Sequence, residues 1–305
     1  MRGLNSRKKH RHPRADVIFY TLLMALPILQ VLIFYFGVNF QSICMAFQNY
    51  DVYNNEYTWE VTKNISKFVS DVSVRGFWEM VKNSLVVWLC TSLTGTVLAI
   101  IFAYYVYRAR FMSNVFKFVL FMPSVLPGIF LAIMYQKFVG LGIPAFWQHL
   151  CETEVLNYFS TSTGGVRFTL ITLFTVWISF GAQVLVYTGA MDRVDVSTLE
   201  AGRVDGATPW QEFIHIILPD IISTVTVFLI MGIASIFTNQ NNLFNFLGGV
   251  AMPQEKTIGY YLYVLVYQDS AKSGYCYAAF LGVIFTLIAA PLAIGARKLL
   301  DRETD

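Results

Sequence analysis

Charged residues are scarce. Asp, Glu, Lys and Arg make up 13% of the 305 residues, about half the roughly 25% carried by a soluble globular domain. A chain so poor in charge does not present most of its surface to water. The formal net charge of +3 provides no polyelectrolyte footprint and speaks against nucleic acid as a partner. Cysteine is limited to Cys44, Cys90, Cys151 and Cys276, with no CxxC pair and no ligand-like spacing to His10, His12, His149 and His215. Neither a disulfide framework nor a metal site is expected. No GxxxxGK[ST] phosphate loop occurs, and no acid–base or nucleophile constellation. The chain is therefore read as a non-enzyme that holds no cofactor and does not itself hydrolyse ATP. The long apolar runs have no acidic residue at their centres, so the ion-coupling carboxylates of a secondary transporter are missing.

What is present in abundance is apolar sequence, 56% of the chain. Six runs approach the roughly 20 residues that a bilayer-crossing helix needs. They cover residues 17–38, 84–107, 116–138, 168–190, 221–238 and 277–296. The expected fold is an all-α membrane protein of six transmembrane helices. Residues 17–296 form the membrane domain, between a basic tail at 1–16 and a short tail at 297–305.

Basic residues set the orientation. Arg2, Arg7, Lys8, Lys9, Arg11 and Arg14 precede the first run; Arg108, Arg110 and Lys117 follow the second. Arg193 and Arg203 follow the fourth, and Arg297, Lys298 and Arg302 follow the sixth. By the positive-inside rule both termini are cytoplasmic. The first run is too long for a signal-peptide core and lacks a small-x-small cleavage site, so an uncleaved first helix is expected. The basic tail reads as a topology anchor attracted to anionic membrane lipid. Outside lie the loops at 47–83 and 139–167, the first rich in Tyr, Trp and acids and long enough for a small cap.

The inner stretch 192–220 is the most patterned. Ser197 with Glu200 has capping-box spacing, as does Thr208 with Gln211, with Pro209 at the first helical position. Asp205-Gly206 punctuates the two short helices. Trp210, Phe213, Ile214 and Ile217 give the second an apolar face, and Leu218-Pro219 is expected to end it. Six acids (Asp192, Asp195, Glu200, Asp205, Glu212, Asp220) outnumber two bases (Arg193, Arg203). That excess disfavours adsorption to the anionic inner leaflet and a DNA-binding role. A protein partner and packing on its own bundle both remain open from the residues alone.

The run Glu200-Ala201-Gly202-Arg203-Val204-Asp205-Gly206-Ala207, followed by Phe213 and Leu218-Pro219, resembles the EAA loop of binding-protein-dependent ABC permeases. Gly202 stands where the pattern has a second Ala. Phe121-Met122-Pro123, Trp177 with Gly181, Gly248-Gly249 with Thr257, and Gly274-Tyr275 with Ala278-Ala279 are similar to the sugar and glycerol-3-phosphate branch. Within that branch the chain resembles the larger maltose-type permease. Leu247, Val250 and the displaced Pro253 depart from the pattern. The resemblance implies a type I ABC importer permease fold, with the loop as a cytoplasmic coupling helix. It implies a second homologous permease subunit, two ATP-binding subunits that hold ATP and Mg, and an extracytoplasmic binding protein, all at the cell membrane. Glu200 is then expected to pair with a basic residue of the ATPase, Gly206 to allow the turn, and Phe213 to anchor the loop.

A route for cargo is suggested by intramembrane polar residues, which are costly where they have no role. Gln183, Asn239, Gln240, Asn241, Asn242 and Asn245 suit a neutral polyhydroxylated ligand, or else join helices. Tyr260 and Tyr263, within a tract of tyrosines, either stack on sugar rings or form an interfacial belt. The expected function is half of the pathway for a sugar or oligosaccharide. The alternatives are a secondary transporter of a polar solute, or an ABC permease for another cargo such as glycerol-3-phosphate.

Overall fold

The computed structural model describes residues 13–108, 111–151, 159, 164–268 and 273–301. Most of the basic tail, with Arg2, Arg7, Lys8, Lys9 and Arg11, lies outside the described residues, as do Arg110 and Arg302.

Among the described residues, six helices are long and apolar enough to cross a membrane: Asp16–Ala46, Arg75–Tyr107, Gly128–His149, Gly165–Met191, Pro209–Ala234 and Gly274–Leu300. Each unsatisfied backbone group in hydrocarbon costs several kcal/mol, so helices satisfy the chain internally where it crosses. The first span is apolar on all sides. Its side chains from Val17 to Ile43 are exposed, and only its outer part, Asn39–Ala46, packs against the last span.

The third crossing departs from the expected single helix over 116–138. The helix long enough to cross is Gly128–His149, preceded across an elbow by the shorter Ser113–Val125, so the start of the expected outer loop 139–167 is helical. Residues 152–158 and 160–163 of that loop lie outside the described residues. Leu126, at φ −81° and ψ 148°, is extended because the ring of Pro127 excludes the helical region for the residue before it.

The outer loop after the first span does fold as a cap. Strands Asn49–Asp51 and Glu56–Thr58 pair antiparallel, with Tyr50 opposite Tyr57, and the helix Val61–Ser73 follows. The buried amide of Asn64 donates to the carbonyls of Ala46 and Gln48 at 3.2 and 2.9 Å, tying this helix to the end of the first span.

The fourth span is the centre of the bundle. Gly95, Ala99 and Ala103 form a small-residue ridge at four-residue spacing on the second span, all buried, which allows close helix approach. Gly181 of the fourth span packs against the backbone carbonyl of Leu120, leaving no room for a Cβ. Phe180, Val184, Tyr187 and Met191 continue this core inward to Leu199, Phe213 and Ile217 of the cytoplasmic loop. On the outer side a buried ion pair joins the fourth span to the segment before the last helices. Arg167 donates from Nε and Nη2 to both carboxylate oxygens of Glu255 at 2.6 Å each, and Glu255 is fully buried.

Candidate functional site

Two regions concentrate the chemistry: the cytoplasmic loop and a cavity between spans two, four and five.

The first loop helix, Val196–Val204, is capped by Asp195, two residues before the expected Ser197. The Asp195 carboxylate accepts from the Ser197 backbone N–H at 3.0 Å and its hydroxyl at 2.7 Å, so the expected Ser197–Glu200 box does not form. These bonds hold the Asp195 carboxyl below the usual carboxylate range. The helix closes on Gly206 at φ +84°, with Gly206 N–H donating to Arg203 O at 3.1 Å and Ala207 N–H to Gly202 O at 2.9 Å. That pair of bonds is a Schellman motif and needs the left-handed residue that Gly supplies. Thr208 and Gln211 then form the expected capping box, with Pro209 at the first position.

Leu218-Pro219 does not end the second helix. Leu218 is helical (φ −62°, ψ −44°), and the turn Phe213–Ile217 widens to a π-helical one. A wider turn displaces the carbonyl that the proline ring would strike. The chain therefore runs as one helix from the loop into the fifth span, Pro209–Ala234.

Glu200, Ala201, Asp205, Gly206 and Pro219 are exposed, while Gly202 and Ala207 are half-buried. Val196, Glu200 and Val204 share one stripe at four-residue spacing. Val196, Val204 and Trp210 expose 62, 88 and 66% of their surface, apolar area unusual beside so many acids. Phe213 is buried, its ring 4.6 Å from Tyr104 and 5.6 Å from Trp210. Glu212, which reads as a surface acid, is instead 2% exposed and bonded to Arg108 and Arg203. Sequence spacing gave no sign of this, because Arg108 belongs to another span.

The cavity has a volume of about 420 Å³. Span two contributes Thr91, Ser92 and Thr96; span four contributes Thr175, Ser179 and Gln183; Ser235 and Asn239 follow span five. Ala182, Val186, Phe228, Met231 and Gly232 complete the wall with apolar surface, and none of the lining residues is charged. Several hydroxyls donate to their own helix backbone, as Thr91 does to Val87 O at 2.8 Å and Ser179 to Val176 O at 3.0 Å. That leaves their oxygen lone pairs available to a donor in the cavity. The Gln183 Oε1 is buried without a hydrogen-bond partner.

Of the polar residues singled out in the sequence, Gln183 and Asn239 meet at this cavity and the others do not. Asn241 and Asn242 adopt left-handed backbone, each at φ 54°. Their amides donate to Thr172 and Thr175 Oγ1 at 2.9 and 3.1 Å, fastening the segment to the fourth span. Asn245 donates to Asn242 Oδ1 at 3.0 Å. Gln240 is half-buried away from the lining. Tyr260 is buried, donating to Gly248 O at 2.8 Å and accepting from Ala251 N at 3.1 Å. Tyr263 packs edge-on against Phe244, with ring centroids 4.7 Å apart. The hydroxyls Thr175 and Ser179 escape a search for amides and aromatics. The signal that finds them is the stripe Thr175, Ser179, Gln183, polar every fourth residue on one helix face.

Comparison with known proteins agrees with this architecture. The family model described as "Binding-protein-dependent transport system inner membrane component" matches residues 95–305. The multiple sugar-binding transport system permease protein MsmF of Streptococcus mutans is 25% identical, over 92% of this chain and 94% of its own. The galactooligosaccharides transport system permease protein GanP of Bacillus subtilis is 26% identical, over 90% of this chain and 68% of its own. Among solved structures, a bacterial ABC transporter involved in the import of the acidic polysaccharide alginate superposes with a TM-score of 0.77 at 20% identity. That match covers 96% of this chain and 98% of the other. With two thirds of its length matched, a fold shared almost end to end and six apolar spans, the chain belongs to the family of binding-protein-dependent transport system inner membrane components.

Proposed function

We propose that this permease forms half of the translocation pathway of an ATP-driven importer for a neutral sugar or oligosaccharide. The observation that carries the cargo assignment is the cavity between spans two, four and five. Its lining carries no charged group. The hydroxyls and amides of Thr91, Ser92, Thr96, Ser179, Gln183 and Asn239, set among predominantly apolar surface, provide donors and acceptors for an uncharged polyol. A phosphorylated cargo such as glycerol-3-phosphate calls for cations, and a proton- or ion-coupled transporter for carboxylates; the lining supplies neither. The permease relatives named for sugar and galactooligosaccharide transport support the same cargo class.

In this reading a second, homologous permease completes the pathway, and the bare apolar surface of the first span is available to it as well as to lipid. Two ATPase subunits bind ATP and Mg and hydrolyse the nucleotide. An extracytoplasmic binding protein delivers the cargo. The loop from Glu200 to Pro219 seats in the ATPase through Glu200, Ala201, Asp205 and the exposed Val204 and Trp210. Phe213 holds the loop to its own bundle.

The test is reconstitution of the chain with its partner permease, the ATPase and the binding protein in lipid vesicles. Binding-protein-stimulated ATP hydrolysis and uptake of a neutral oligosaccharide are expected. A cognate binding protein that retains only amino acids, metal ions or phosphorylated solutes overturns the cargo assignment.

A further inference from the structure

Glu212 occupies a place that docking alone does not require. Its carboxylate is 2% exposed. Arg108 Nη1 donates to its two oxygens at 3.1 and 3.3 Å. Arg203 donates from Nε and Nη2 at 3.2 Å each. The three residues come from three elements: the cytoplasmic end of span two, the loop helix Val196–Val204, and the start of the helix that becomes span five. Tyr104, one turn before Arg108, adds a hydrogen bond to Pro209 O at 2.7 Å. The docking side chains Glu200, Val204 and Trp210 are meanwhile exposed.

A displacement of the loop reaches span five directly, because the helix is unbroken. Span two has no such continuity: Arg108 and Glu212 are 104 residues apart in the chain. Yet span two supplies Thr91, Ser92 and Thr96 to the cavity wall, and Thr96 lies only about 18 Å along the helix from Arg108. A desolvated carboxylate tolerates separation from its cations poorly, so this cluster resists any motion of the loop that leaves span two behind. The surplus positive charge is relieved at Arg203, whose side chain is 54% exposed, and less at Arg108, which is 19% exposed.

Resting on the importer reading above, we infer that Arg108, Glu212 and Arg203 form a clamp that makes span two follow the ATPase-driven loop, so that the span-two and span-five walls of the cavity move together against span four. Glu212 and Arg108 are positioning residues; neither lines the cavity.

The experiment uses the reconstituted complex with native cysteines replaced and spin labels at exposed membrane positions. One pair, Val97 with Leu173, reports span two against span four. The other, Val227 with Leu173, reports span five against span four. In wild type both distances are expected to shift between nucleotide-free and ATP-bound states. In Glu212→Gln the span-five shift is expected to persist and the span-two shift to be lost. A span-two shift equal to wild type in Glu212→Gln overturns the clamp. If that variant does not assemble, Arg108→Gln, which leaves Arg203 to neutralise Glu212, is read in the same way. Failure of both variants to assemble shows a folding element only and also overturns it. If neither distance shifts in wild type, ATP does not drive this bundle, and the importer reading falls first.

Discussion

Gly202 faces Ile216 where the first loop helix crosses the start of the second, and a Cβ on Gly202 would lie 2.8 Å from Ile216 Cδ1. Gly202 stands where the resembled EAA pattern has Ala, and here it faces a bulky neighbour. Since the crowded atom is the tip of a flexible side chain, Gly202→Ala is expected to displace that tip. The better helix propensity of Ala, worth about 1 kcal/mol, offsets the cost. Thermal stability in detergent and ATPase stimulation should remain near wild type. Gly202→Leu, by contrast, should separate the two helices and abolish stimulation.

Glu200 is exposed and has no ion-pair partner among the described residues. Glu200→Ala is therefore expected to leave melting unchanged and to reduce binding-protein-stimulated ATP hydrolysis. Full stimulation in that variant would falsify the docking role. Gly206→Ala acts differently. Left-handed backbone costs a Cβ-bearing residue about 1–2 kcal/mol, so both loop order and docking should weaken.

Gln183 presents a buried, unpartnered amide oxygen at the cavity. Replacing it by Leu removes one hydrogen bond to cargo, worth about 0.5–1.5 kcal/mol. Uptake of a neutral oligosaccharide is expected to fall roughly two- to tenfold with assembly intact. Uptake equal to wild type would remove Gln183 from the pathway.

Glu255 is the buried half of a two-bond pair with Arg167. Glu255→Gln leaves a guanidinium without its counter-charge, and breaking such a pair costs about 3–5 kcal/mol. A clear drop in melting temperature is expected, restored little by Glu255→Asp, whose shorter side chain does not reach both nitrogens.

Asp195 links the loop to pH. Its folded carboxyl titrates below the ordinary value of 3.8, so the cap contributes stability that is fully present above that value. The contribution is lost as pH falls through the depressed folded value. Asp195→Asn keeps a capping acceptor and removes this acid sensitivity. Hydrogen exchange of the loop amides between pH 5 and pH 3 should show the difference between the two proteins.

The sequence by itself determined the membrane class, the six long apolar helices and the helical loop between spans four and five, and its flanking bases set the expected inward orientation. Each rests on local chemistry. Long apolar runs must become helices where no water satisfies the backbone, flanking Arg and Lys set direction, and Gly206 and Thr208 cap short helices wherever they stand. Tertiary structure decided what depends on neighbours distant in the chain. Pro219 continues a helix because a π-helical turn precedes it, whereas Pro127 breaks one. Glu212 is buried because Arg108 arrives from another span. Asn241 and Asn242 act as fasteners, while Thr175, Ser179 and Gln183 line a cavity, because only the packed bundle brings spans two, four and five together. A single residue type supports either role, and the partner it meets selects between them.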